Sequence, residues 1–114
     1  MHIDVQENDT HTLVIPRTKS IDASMAEEFK KKMEDIVNSR SSLIVLDMQD
    51  VNFIDSTALG LLIATYKNLN KDQNLIICNI SEGIQGILKL TRLDKFFTLF
   101  SSKESAFKAF KIDD

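Results

Sequence analysis

The chain has 114 residues, of which 43% are hydrophobic and 27% charged, and its formal net charge is −3. That length suits one domain with room for one core, and the composition is that of a globular chain rather than a disordered one. The mildly acidic balance supplies no basic stripe for nucleic acid, and the densest basic run, Lys30-Lys31-Lys32, is followed by Glu34 and Asp35, as on a solvated helix face.

The chain opens Met1-His2-Ile3-Asp4, without the basic and then apolar pattern of a signal peptide. His2 to Gln6 alternates polar and apolar residues as a half-buried strand does. Glu7-Asn8-Asp9-Thr10 reads as a turn and His11 to Pro16 as a second strand, with Pro16 at its end because proline cannot donate to a ladder. A first helix is predicted to start at Asp22 to Ser24, with Ser24 and Glu27 spaced as a capping box. Ala26, Phe29, Met33, Ile36 and Val37 then give it one apolar face.

Leu43 to Leu46 is a short continuous apolar run, the pattern of a central strand buried on both faces. A second helix is predicted from Ser56 to Asn68, with Ala58, Leu62, Tyr66 and Leu69 on one side and Leu59 and Ile63 widening the stripe. Leu75 to Ile80 reads as the fourth strand. It carries Cys78, the only cysteine, which cannot form an internal disulfide and is expected to pack as a small hydrophobe in a reducing compartment. A third helix is capped by Ser81 and built on Ile84, Ile87, Leu88 and Leu93; a strand at Phe97 to Phe100 and a helix at Ser102 to Phe110, with Ala106 and Phe110 four apart, complete the order. Phe96, Phe97 and Phe100 are expected in the core, and residues 111–114 as a frayed tail.

The expected architecture is therefore a single α/β domain over residues 1–114, ordered β-β-α-β-α-β-α-β-α, with a mostly parallel mixed sheet covered by helices. Pattern alone leaves open whether the helices cover one face or both. No apolar run approaches the roughly 20 residues of a membrane helix, so no membrane insertion and a cytoplasmic location are expected.

The stretch richest in chemical meaning is Val51-Asn52-Phe53-Ile54-Asp55-Ser56-Thr57-Ala58-Leu59-Gly60, which follows the buried run ending in Asp47. Asp55 suits a helix N-cap, where its carboxylate is favoured by the unpaired N–H groups and the positive end of the dipole. Ser56 and Thr57 then lie in the first turn, where a hydroxyl is a plausible phosphate acceptor. Gly60 costs about 1 kcal/mol relative to alanine inside a helix, so a reason is expected: close approach of another backbone, either a partner at a shallow spot one turn beyond Ser56 or tight packing within the domain.

Enzyme readings find little support. His2 and His11 both lie in the opening hairpin, are expected at the surface, and have no metal-ligand spacing; a Ser-His-Asp triad would need Ser56 near His11, without a G-x-S-x-G elbow. Gly60, Gly83 and Gly86 form no phosphate loop or dinucleotide fingerprint, so no cofactor and no metal are expected. A response-regulator receiver needs an acidic pair after a first strand that leads directly into a helix. This chain has a hairpin there instead.

Taken together, this order of elements and the run Leu46-Asp47 through Asp55-Ser56-Thr57-Ala58-Leu59-Gly60 resemble the STAS family, which comprises bacterial anti-sigma factor antagonists and related domains of sulfate transporters. Ile21-Asp22 matches the family's apolar-Asp pair before the first helix. The resemblance spans nearly the whole chain and implies a stand-alone antagonist that is not an enzyme. It implies that Ser56 is phosphorylated by a cognate anti-sigma factor serine kinase, and that the unphosphorylated form binds that kinase and frees its client. A metal-dependent phosphatase of the PP2C type then restores the unphosphorylated form. The implied partner surface contains Asp22, Asp55, Ser56, Thr57, Ala58 and Gly60. Two departures stand out: Ala58 replaces a frequent glycine, adding a methyl expected near the docking surface, and Arg17-Thr18-Lys19-Ser20 lacks a glycine often found before the Asp22 pair. The alternative left open is a STAS scaffold subunit of a lipid-transport or signalling assembly in which Ser56 is never phosphorylated.

Overall fold

The computed structural model describes residues 1–112. Strand β1 (His2–Glu7) pairs antiparallel with β2 (Thr12–Arg17), forming the expected hairpin with Ile3 opposite Pro16. A two-residue strand β3 (Ser20–Ile21) and a 3₁₀ turn (Ala23–Met25) lead into α1 (Ala26–Asn38). Then follow β4 (Leu43–Asp47), a second two-residue strand β5 (Phe53–Ile54), α2 (Ser56–Lys67), β6 (Asn74–Cys78) and α3 (Glu82–Leu90). A 3₁₀ turn at Leu93–Lys95, β7 (Thr98–Phe100) and α4 (Lys103–Ala109) complete the order.

The main sheet has five strands in the order β1-β2-β4-β6-β7, all parallel except for the β1–β2 pair. Every residue of β4 is buried, because the strand is central and covered on both faces. Strand alternation then divides the apolar interior. Val14, Ile44, Leu46, Leu75 and Ile77 point to the side packed by Phe29 and Met33 of α1, Ala58 and Leu62 of α2, and Ile84 and Leu88 of α3. Leu13, Ile15, Leu43, Val45, Ile76 and Cys78 point to the other side, where Ala106 and Phe107 of α4 close the layer. Both faces are covered, three helices against one.

Several local expectations are corrected. The two-residue strands β3 and β5 pair in parallel as a separate small sheet, with Ser20 opposite Phe53 and Ile21 opposite Ile54. They are too short to show periodicity in sequence. The Ser24–Glu27 capping box does not form: Asp22 caps the 3₁₀ turn by accepting from the Ser24 N–H at 2.9 Å, and Met25 at the head of α1 makes no side-chain cap. In α4 the inward position is Phe107 rather than Phe110, which is 36% exposed. Phe97 is core as expected, whereas Phe96 is 42% exposed and rests edge-on against it, with ring centroids 5.1 Å apart. Of the expected frayed tail, Ile112 instead packs under α4, its N–H donating to the Phe107 carbonyl at 2.9 Å; residues 113–114 lie outside the described residues. Finally, His11 is buried, not at the surface, with its ring 4.8 Å from that of Phe107. Its ring nitrogens meet the Asn8 amide and the Thr10 hydroxyl, so its polarity is satisfied while the ring packs against α4.

Candidate functional site

The small β3–β5 sheet builds the site. Because Ile21 lies opposite Ile54, the next residue on each strand is an aspartate that starts a helical turn, Asp22 on one side and Asp55 on the other. Backbone bonds fix the pairing: Lys19 carbonyl accepts from the N–H groups of Asn52 at 2.7 Å and Phe53 at 3.3 Å, and Ile21 carbonyl accepts from Asp55 N–H at 3.3 Å. The Arg17–Ser20 segment therefore forms this edge without the glycine that the resemblance led one to expect there.

Asp55 has extended backbone and caps α2 as expected, one carboxylate oxygen accepting from the Ala58 N–H at 2.9 Å. The second oxygen accepts from the Ala23 N–H, also at 2.9 Å, which sequence reasoning did not anticipate. Asp22 accepts from both the hydroxyl and the N–H of Ser24, and these bonds, the hydroxyl's first, hold its carboxyl below the usual carboxylate range. Ser56 and Thr57 are exposed at the first two positions of α2. The site thus gathers two helix starts, two carboxylates and an exposed serine hydroxyl.

The remaining positions divide by helix face. Ala58 is 1% exposed and packs into the core beneath α2, so its methyl is not at the docking surface as expected but seats the helix. Gly60 is exposed, and a methyl built there would meet nothing within 4 Å, which removes packing within the described residues as its explanation. Phe53, three residues before Ser56, is 51% exposed. Sequence reasoning did not single it out, because a strand of two residues shows no alternation that would set Phe53 outward and Ile54 inward.

Other candidate chemistry is satisfied structurally. Asp47, at the end of β4, is buried and accepts from the Gln49 N–H at 3.1 Å, the Gln49 amide at 3.2 Å and the Asn79 amide at 2.9 Å. Burial, with Asp47 nearby, pushes the Cys78 thiol up to about 12, so it is protonated at neutral pH and not a nucleophile. His11 is held among Asn8, Thr10 and Phe107, and His2 bonds Asp4 at 2.6 Å; neither of these sets includes a residue of the Ser56 turn. Among the described residues no group of three or more His, Cys, Asp or Glu side chains could hold a metal, and no helix is long and apolar enough to cross a membrane.

The chain is similar to the anti-sigma-B factor antagonist of Listeria monocytogenes, 27% identical over 92 residues that cover 80% of this chain and 81% of that protein. It is 22% identical to the anti-sigma F factor antagonist of Paenibacillus polymyxa over 102 residues, covering 88% and 87%. Among solved structures, an anti-sigma factor antagonist from Mycobacterium paratuberculosis superposes with a TM-score of 0.86 at 26% identity, over 95% of this chain and 92% of that one. The family model for the STAS domain matches residues 2–106, and with the fold and the Asp55-Ser56 turn in place the chain belongs to the STAS domain family.

Proposed function

We propose that this protein is an anti-sigma factor antagonist that works by partner switching. The observation that carries this reading is the exposed Ser56 at the first position of α2, directly after Asp55, whose carboxylate ties this turn to the one that Asp22 starts. The names of the similar antagonists support it. In the unphosphorylated state the Ser56 turn binds a cognate anti-sigma factor serine kinase and frees the client that the kinase holds. The contact surface comprises Asp22, Asp55, Ser56, Thr57 and Gly60, with Phe53 as an aromatic anchor of the kind that interfaces bury. Ala58 supports this surface from beneath.

The kinase transfers the γ-phosphoryl group of ATP to the Ser56 Oγ. The new O–P bond replaces the bond to the leaving ADP, and the hydroxyl proton is lost. The phosphate adds about −1.5 to −2 charge. The N–H groups and dipole at the head of α2 tolerate that charge, so the fold survives. A partner surface shaped to a neutral hydroxyl between two carboxylates is repelled, and binding is lost. A PP2C-type phosphatase hydrolyses the ester and resets the switch. In this reading the protein binds and is modified; the catalysis belongs to its partners.

Intact-mass analysis and peptide mapping of the protein from its native cells test this directly. A fraction of molecules carrying one phosphate on Ser56 is expected. A homogeneous unmodified chain across several growth conditions would overturn the switch and favour a scaffold subunit. Ser56→Ala and Ser56→Asp are each expected to keep stability within about 0.5 kcal/mol, as for a surface position, while only Ser56→Asp loses the kinase.

A further inference from the structure

We propose that Asp55 is a positioning residue that locks the Asp22–Ser24 turn beside Ser56, so that a partner meets two helix starts as one pre-assembled surface. The proposal rests on the reading of Ser56 as the switch and adds what holds the other half of its surface in place.

Capping α2 requires one acceptor. Elsewhere in the chain a serine hydroxyl suffices: Ser81 accepts from the Ile84 N–H at 3.2 Å and Ser102 from the Ser105 N–H at 3.0 Å. At α2 the cap is a carboxylate, and its two oxygens serve different segments, Ala58 on its own helix and Ala23, 32 residues earlier in sequence. The main chain of Asp55 is tied to the same segment through the Ile21 carbonyl.

The tethered turn has little other anchorage. It follows a two-residue strand, is a single 3₁₀ turn, and leads into a helix whose N-cap, Met25, makes no side-chain capping bond, its sulfur only accepting a long bond from the Thr18 hydroxyl at 4.0 Å. Ala23 and Ser24 are exposed. Without the second Asp55 oxygen, the Ala23 N–H would turn to water and the segment would gain freedom that a partner must then remove. A bond to an ionised acceptor is stronger than a neutral one, which suits a lock made of a single contact.

Two variants of the full chain separate lock from cap. Asp55→Ser keeps a hydroxyl for Ala58 but supplies no second acceptor for Ala23; Asp55→Asn keeps the shape with one acceptor oxygen in place of two. Both are expected to retain the circular-dichroism spectrum of the parent, with the α2 amides still protected. In Asp55→Ser the Ala23 amide is expected to exchange with solvent about tenfold faster and its proton resonance to shift, as for loss of a hydrogen bond to a charged group. With the kinase purified alongside the native protein, the KM for Ser56 phosphorylation is expected to rise about tenfold in Asp55→Ser and, across the two variants, in step with the Ala23 exchange rate of each; a KM raised equally in both whatever the Ala23 exchange would make Asp55 a direct contact and overturn the positioning role. An unaltered Ala23 amide in Asp55→Ser would overturn the lock, and an altered amide with unaltered KM would overturn its role in binding. Absence of phosphate on Ser56 in native cells would sink the switch itself, whereas the Ala23 amide reports on the lock regardless.

Discussion

Single residues in this protein separate those that hold the fold from those available to a partner. Gly60 is the clearest. A helical glycine with open space around it weakens α2 without any internal packing benefit. Gly60→Ala is therefore expected to raise stability by about 1 kcal/mol, measured by urea denaturation, and, on the proposed function, to weaken kinase binding because the added methyl would stand on the proposed contact surface. Asp22 carries the opposite character. Its carboxyl is held below its ordinary value of 3.8, so its contribution to stability is complete above that value and is lost as pH falls through the folded one. Asp22→Asn is expected to cost stability at neutral pH, and the difference from the parent should vanish in acid; chemical denaturation at several pH values measures it. For Cys78 the shift is upward, from 9.0 to about 12, so its contribution is complete below the lower value and disappears as pH rises through the upper. In the native state near pH 8 the thiol is expected to resist iodoacetamide, and to react once the chain is unfolded in urea.

At the level of elements, the chain announces its helix starts better than its small strands. Ser81 and Asp55 cap as their residue types suggest, because one side-chain acceptor meeting one N–H is a local event. The misassigned box at Ser24 shows the limit. Two acceptors, Asp22 and Ser24, lie within reach of the same turn; Asp22 takes the Ser24 N–H, and Ile21 just before it is held by the pairing of β3 with β5. Helix ends follow a different rule. Both α1 and α3 are followed by an exposed arginine in the left-handed region, Arg40 at φ 64° and Arg92 at φ 62°. Each N–H closes the last turn, donating to Val37 and Lys89 carbonyls at 3.1 Å. Glycine is the usual residue at that position, so Arg40→Gly and Arg92→Gly are each expected to stabilise by about 1 kcal/mol, read as an increase in Tm.

The whole molecule depends on the two layers on either side of the sheet. Phe29 is fully buried in the larger one, between α1 and the strand residues Val14, Ile44 and Leu75 of the same cluster. Phe29→Ala is expected to cost about 3–5 kcal/mol. Against a total stability of about 5–15 kcal/mol for a domain, that leaves the variant partly unfolded at modest urea concentrations. The smaller layer under α4 rests on Phe107, whose ring also receives His11 edge-on. The site rests on the larger layer through the buried Ile21, Ile54 and Ala58, while Ser56, Thr57 and Gly60 are exposed, so changes to these exposed residues are expected to alter partner binding with little effect on the core.

Periodicity and length in the sequence determined the alternation of strands and helices, the buried run at β4, the inward face of α1 and the helix start at Asp55, because each depends on residues within a few positions of one another. The pattern of Asp55-Ser56 after a buried strand was likewise legible, and with it the expectation of a phosphate acceptor. Only the tertiary structure decided the rest: that helices cover both faces of the sheet, that His11 goes inside, that Ala58 faces the core while Gly60 faces outward, and that Asp22 stands beside Asp55. The last depends on two strands of two residues each, with Ser20 opposite Phe53, held by a few backbone bonds and by one carboxylate that reaches 32 positions back to Ala23. Contacts so short and so distant in the chain leave no period to read, and their energy exists only once the sheet has brought them together.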